Sequence, residues 1–308
     1  MFKKARVMFI YTETSLHCGS GTSLGVIDLP IQREKYTDYP VCQASGVKGV
    51  VREWFEKKYD EKDPKIKYTF GPDFGRGDGD AHAGAATFTD ARLLLFPVRS
   101  LNGVFAYATS RFALSRLKRD LEMAGVNVDW QIPADQGDKI SGVEGSKIKD
   151  SNNKVVLEEY TFDFQADDSV KAIAGWISNK AIPEGTEYAF WKEKVKTDLL
   201  ILPDNAFRDF VKFSTEVQAR IMIDNKTKTV KQGALFYEES LSSDSLLYSV
   251  VMAHDPACDK DKRPDKLKTD NDVIAFIAEI DGKRLQFGGD ATIGKGIVNV
   301  NLLSGGVQ

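Results

Sequence analysis

The chain has 308 residues, enough for one elaborated domain or two small ones, and its 42% hydrophobic share supports a sizeable core and excludes a largely disordered protein. With 42 basic against 45 acidic side chains the net charge is −3, which excludes a protein that coats nucleic acid by bulk charge but leaves a local basic groove open. No apolar run approaches the roughly 20 residues that span a bilayer, so no membrane partner is expected.

The opening MFKKARVMFIYTE has no small-residue cleavage site and reads as a first strand over 6–12. A glycine loop follows, HCGSGTSLGVIDLP (17–30), ending on a single acid, Asp28, between Ile27 and Leu29. QASGVKGVVREWFEKKYD (43–60) has Val47, Val50, Val51, Trp54 and Phe55 at helical spacing, with Ser45 as the expected N-cap and Lys48 and Arg52 on one face near its start. GPDFGRGDGDAHAG (71–84) is a loop whose Asp73, Asp78, Asp80 and His82 fit no EF-hand spacing and read as solvated. ARLLLFPVRS (91–100) is a buried strand ended near Pro97, and 109–125 is a helix capped by Ser110 and stopped at Gly125.

The polar stretch 131–154 is expected to be a surface excursion, 155–164 a strand, and 168–179 and 203–212 helices. TEVQARIMIDNKTKTVKQGALFYEE (215–239) carries a hairpin signal: Val217, Ala219, Ile221 and Ile223 alternate with polar residues before turn residues at 224–227. Lysines stud it, as on a protected edge, or as on an arm that lies against nucleic acid or a neighbouring subunit. Residues 246–253 read as a strand, 271–282 as a helix, and 284–303 as a second glycine loop running into a strand. The elements alternate without a doubly wound series, so an α+β fold with a small sheet and large loops is expected.

Three cysteines, Cys18, Cys42 and Cys258, are too few and too scattered for a disulfide framework or zinc site, which points to a reducing, cytoplasmic setting. GGDATIGKG (288–296) approaches a phosphate-binding P-loop, but Gly296 stands where Ser or Thr should hold magnesium, and a strand follows instead of a helix. A nucleotide hydrolase is disfavoured on both counts. Exposed amides in two glycine loops, with Lys48 and Arg52, suit an anionic polymer better. His17 and His254 are isolated, and each reads by default as a satisfied structural histidine.

Five segments in register, 17–34, 39–55, 91–100, 215–239 and 288–296, together resemble the RAMP superfamily of CRISPR proteins, and within it the repeated backbone subunits of type III-B (Cmr) effector complexes. The resemblance implies a single domain over 1–308, a modified ferredoxin-like (RRM-like) palm with finger insertions and a β-hairpin thumb at about 215–239. It implies a subunit that stacks head to tail along a CRISPR guide RNA, beside other Cmr subunits, and cuts complementary single-stranded target RNA at regular intervals. Asp28 takes the catalytic position through GVIDLPIQ, with His17 and Glu238 or Glu239 as secondary participants and Asp28 as ligand of a divalent ion such as Mg²⁺. Ser45, Lys48 and Arg52 match a guide-binding helix start, with Arg99, Arg220 and Lys295 as further RNA contacts. The alternative within the same resemblance is a scaffold that binds RNA without cutting, in which Asp28 is structural.

Overall fold

The computed structural model describes residues 4–72 and 82–305. Its first half runs β1 (Lys4–Thr12), β2 (Val41–Cys42), α1 (Ala44–Lys58), α2 (Pro64–Phe70), β3 (Ala86–Phe88), β4 (Ala91–Arg99), β5 (Phe105–Ser110), α3 (Arg111–Met123), β6 (Ile140–Gly142), β7 (Lys154–Leu157) and β8 (Tyr160–Ala166). The second half adds α4 (Asp168–Lys180), α5 (Ala189–Asp198), β9 (Leu199–Leu202), α6 (Asp204–Phe213), β10 (Glu216–Arg220), β11 (Phe236–Ser240), β12 (Leu246–Ala253), α7 (Asp270–Ile277), β13 (Lys283–Gln286) and β14 (Ile297–Ser304).

Twelve of the strands form one mixed sheet, in the order β13-β14-β1-β12-β4-β5-β9-β6-β8-β7, with β2 on β4 and β3 on β12. β1 lies at its centre between β12 and β14, antiparallel to both. A central strand must be apolar on both faces, and RVMFIYT is: Met8 and Ile10 enter one core while Val7, Phe9 and Tyr11 enter the other. The first core takes α1, α2, α6 and α7 through Val51, Phe55, Ile66, Phe207 and Phe276. The second takes α3 and α4 through Leu114, Leu117, Ile173 and Ile177. β10 and β11 stand apart as a two-stranded ribbon, the expected hairpin thumb.

Several boundaries differ from the sequence reading. The sheet is large because short strands escaped notice: LLIL at β9 and FAYATS at β5 pair in parallel at the heart of the sheet. The stretch 131–154 is not wholly a surface excursion, since Ile140, Val143 and Ile148 are buried and β6 joins β8 to β9. Residues 155–164 form the arms of a hairpin that turns at Glu158, which has φ +49°. β4 continues through Pro97, which pairs with Tyr107. The N-cap of α1 is Gln43, with no side-chain bond, and Ser45 lies inside the first turn. Ser110 does cap α3, its side chain accepting from the Ala113 amide. The helix read over 271–282 is α7 only as far as Ile277, capped by a reciprocal Thr269–Asp272 pair, and then tightens into a 3₁₀ turn.

The expectation of unpaired cysteines is overturned. Cys18 and Cys42 are joined by a disulfide with their Cα atoms 5.8 Å apart. Spacing along the chain hid the pair, because the loop after β1 folds back beside the entry to α1. Of the loop once weighed for metal binding, Asp73, Asp78 and Asp80 lie outside the described residues, and His82 stacks on Tyr68.

Candidate active site and nucleic-acid interface

The segment after β1 leaves the sheet at Thr12 and returns at Leu16, which bridges to Leu241, before the glycine loop opens. Gly19 and Ile31 close that loop as an antiparallel bridge, and the Ser23 amide donates to the Asp28 carbonyl. Between them Leu24 and Val26 stand fully in solvent. Asp28 sits where this loop meets the root of the thumb. Its Oδ2 accepts from the Tyr237 amide at 2.7 Å, and its neighbour Leu29 pairs with β11 through the Tyr237 carbonyl and the Glu239 amide. Oδ1 has no protein partner among the described residues, and the side chain is half-exposed. One carboxylate oxygen is thus fixed by backbone and the other is open.

His17 lies where the two glycine loops meet. Its Nδ1 is 2.6 Å from the Glu239 carbonyl, and its own carbonyl accepts from the Gly289 amide. Gly288 has φ +71°, and a Cβ there would fall 2.2 Å from the His17 carbonyl oxygen, so only glycine allows the approach. A Cβ at Gly19 would strike the imidazole Nε2 at 2.6 Å. Loops at opposite ends of the chain therefore clasp one histidine.

The two glutamates after the thumb are buried and fully engaged. Glu239 pairs with Arg33, accepts from Thr215 Oγ1 at 2.7 Å, and accepts from the Ile31 amide at 3.0 Å. Glu238 receives Arg220 Nη2 at 2.6 Å and Lys295 Nζ at 3.0 Å, and Lys295 also donates to Ser240 Oγ at 2.7 Å. Asp290, in left-handed backbone at φ +61°, completes this cluster. Burial acts to raise the Glu238 carboxyl, but hydrogen bonds from Asp290, Lys295 and Arg220 outweigh it and bring it down to about 2. Asp290 moves the other way, raised by its hydrogen bond to Glu238 and then by burial. Of the two, Glu238 gives up its proton the more readily. Arg220 and Lys295, expected on RNA, are occupied here with the thumb's own root.

At the start of α1, Ser45 is exposed and Lys48 half-buried, with Arg52 one turn further on. Gln32 ties this start to the Asp28 loop: its Nε2 donates to the Gly19 carbonyl and its Oε1 accepts from the Gln43 amide. Burial, and then the charge of Arg52, lower the Lys48 ammonium. Arg52 donates to Glu56 at 2.6 Å and to the Gly71 carbonyl at 3.1 Å. No acidic residue lies within the first turn of α1, but the Asp90 carboxylate, from the turn before β4, accepts from the Ala44 amide at 2.8 Å and offsets part of the positive end. Arg99 lies elsewhere, at the end of β4, paired with Glu158 at 3.0 Å. Among the described residues no group of three or more His, Cys, Asp or Glu stands together as a metal site.

The RAMP superfamily model matches residues 9–299. This chain belongs to the RAMP superfamily. Among relatives of this RAMP protein, the CRISPR system Cmr endoribonuclease Cmr4 of Pyrococcus furiosus is 42% identical over 305 residues, covering 97% of this chain and 96% of the relative. A crystal structure of oligomeric Cmr4 from Pyrococcus furiosus superposes with a TM-score of 0.73 at 35% identity, covering 97% and 98% of the two chains. A chain from a type III-B Cmr-beta complex bound to cognate target RNA shares the fold at a TM-score of 0.74 and 24% identity, over 98% of each chain.

The expected RAMP fold, mixed sheet with thumb, is the one found. Asp28, His17, Glu238 and Glu239 do converge, within one turn of the thumb root, and α1 reaches the same loop through Gln32. What the sequence reading missed is Asp290, whose residues GGD were quoted only for their glycines, and Tyr237, whose contribution is a backbone amide that no side-chain motif announces.

Proposed function

We propose that this chain is the repeated backbone subunit of a type III-B CRISPR ribonucleoprotein, and that it binds guide RNA and cleaves complementary target RNA beside Asp28. The observation that carries the reading is the Asp28 carboxylate, held by the Tyr237 amide at the base of the β10–β11 hairpin, with one oxygen open. RNA carries its own nucleophile. Once a base is displaced, the sugar turns so that the 2′-oxygen can attack the adjacent phosphorus in line with the 5′-oxygen. The new 2′-O–P bond forms as the P–O5′ bond breaks, giving a 2′,3′-cyclic phosphate and a 5′-oxygen that takes a proton from water to become the 5′-hydroxyl. Asp28 Oδ1 accepts the 2′-hydroxyl proton as general base.

One protein carboxylate also suits a magnesium ion, which keeps several waters and takes its other ligands from phosphate; bound there, it would neutralise charge on the scissile phosphate. Ser45 and Lys48 at the start of α1 would hold guide phosphates, while Arg220 and Lys295 serve the thumb root and reach RNA only if that cluster opens. Other copies of the chain, guide RNA and further Cmr subunits are the partners, in the cytoplasm where transcripts are met. No helix among the described residues is long and apolar enough to cross a membrane.

The test is cleavage of labelled complementary RNA by the reconstituted complex, wild type beside Asp28→Asn, with and without magnesium. Asparagine keeps an oxygen for the Tyr237 amide but is not a base. Evenly spaced products should fall by at least about 100-fold in the variant, with target binding retained. An unchanged ladder would make Asp28 structural and the chain a scaffold.

A further inference from the structure

The loop GGDATIGKG (288–296), disfavoured as a phosphate site, sends its lysine to the thumb root instead. Gly294 and Gly296 flank Lys295 with φ of +82° and +73°, and a Cβ at Gly296 would fall 1.8 Å from the Phe287 carbonyl oxygen, so only glycine closes this turn. Between them Lys295 is 6% exposed. A buried ammonium has to be paired and hydrogen-bonded, and its Nζ donates to Glu238 Oε2 at 3.0 Å and to Ser240 Oγ at 2.7 Å. The other charged groups around it are Arg220, which shares Glu238 and lies 3.5 Å from Asp290 Oδ2, and Glu216 at the start of β10. The lysine of a phosphate-loop look-alike is thus spent on a carboxylate of its own chain.

That carboxylate sits between the two peptide units that build the site. On one side the Tyr237 amide donates to Asp28 Oδ2 at 2.7 Å. On the other the Glu239 amide donates to the Leu29 carbonyl at 3.0 Å, and the Glu239 carbonyl lies 2.6 Å from His17 Nδ1. β10 and β11 form a ribbon separate from the large sheet, and two strands alone are marginal in water, so side chains at the root have to fix where β11 lies. We propose that Lys295 is a positioning residue for target cleavage: by holding Glu238 it fixes β11 at the thumb root and, through the Tyr237 amide, the direction in which Asp28 Oδ1 faces substrate. The inference rests on the reading of Asp28 as the general base. Leu16 still pairs with Leu241, and Arg33 with Glu239, when Lys295 is replaced. The ribbon then stays attached, and the defect falls on the rate and not on assembly.

The test is single-turnover cleavage of labelled complementary RNA by the reconstituted complex, over a range of target concentrations. Wild type is compared with Asp28→Asn, Lys295→Met, Lys295→Arg, Glu238→Gln and the double variant Glu238→Gln/Lys295→Met. Lys295→Met should lower the saturating rate about 10- to 100-fold, with half-saturation within about twofold of wild type. Lys295→Arg keeps a cation for Glu238 and should recover most of the rate. The double variant should be no slower than the slower single variant, because both substitutions break one contact. A wild-type rate in Lys295→Met, an arginine variant as slow as the methionine one, or losses that multiply in the double variant would each overturn the proposal. So would a Lys295→Met chain that fails to assemble, or that loses target binding in step with rate, which would make the lysine structural. Asp28→Asn separates this from the nuclease reading. If that variant cuts as wild type does, the nuclease reading fails and the positioning role falls with it; if it is silent while Lys295→Met cuts normally, the positioning role alone fails.

Discussion

Asp28 differs from the carboxylates around it in what its oxygens touch. Glu238 and Glu239 are 3% exposed and saturated by cations, hydroxyls and amides, whereas Asp28 gives one oxygen to a backbone amide and keeps the other open. Glu238 is therefore a group whose effect on stability is readable. Its pKa is depressed from 4.5 to about 2, so the stabilisation it contributes is complete above about 4.5 and drains away as pH falls toward 2. Glu238→Gln leaves the buried Lys295 ammonium facing a neutral amide, a loss of about 3 kcal/mol at neutral pH. In that acid window the melting temperature of the wild type should fall more steeply than that of the variant; parallel slopes would show that Glu238 does not titrate there. At this scale the sequence told where acids stand but not what they face. HCGSGTSLGVIDLP marked out Asp28 because no partner lay beside it, while Glu238 and Glu239 looked alike with no sign of Arg220, Arg33 or Asp290 across the fold.

Two elements carry the site: the thumb and the start of α1. Both were legible, the thumb from its alternation and turn residues, the helix from valines and aromatics at helical spacing. Its cap was not, because Gln43 fills that position without a side-chain bond and no cap residue is there to be read. If the α1 start holds guide phosphate, Lys48→Ala should weaken guide binding equally for all sequences. It should also lower the slope of log affinity against log salt by about one; an unchanged slope would remove Lys48 from the interface. The Cys18–Cys42 bond ties this helix to the Asp28 loop. Closing 24 residues of separation restricts the unfolded chain by about 3 kcal/mol in the chain-entropy model. Urea unfolding of Cys42→Ser should show a loss of that order, and reductant should bring the wild type down to meet it.

For the molecule as a whole, one twelve-stranded sheet separates two cores, and the site stands at the edge of the first. Phe55 is the hinge of that core: it is fully buried, with ring centroids of Phe276 at 4.3 Å and Phe70 at 5.6 Å. Phe55→Ala should cost about 3–5 kcal/mol, measured by thermal or urea unfolding, and should shift α1, which Phe55 anchors. The family was legible from five segments because their order is a property of the chain. The size of the sheet was not, since strands such as β2, β3 and β9 are two to four residues long and exist only through their neighbours. A near-neutral net charge hid the polarity of the surface in the same way, with Lys226, Lys228 and Lys231 gathered, exposed, at the thumb tip.

The disulfide has a topological consequence. Residues 18 to 42 form a covalent ring, and Asp28 lies on it, together with the exposed Leu24 and Val26. A protease that cuts at that protruding tip opens the ring without dividing the molecule, and the β1 strand remains tethered to α1. Under denaturing conditions the nicked protein runs as one covalent molecule until a thiol is added and only then as two pieces, whereas in the native fold β1 stays held between β12 and β14.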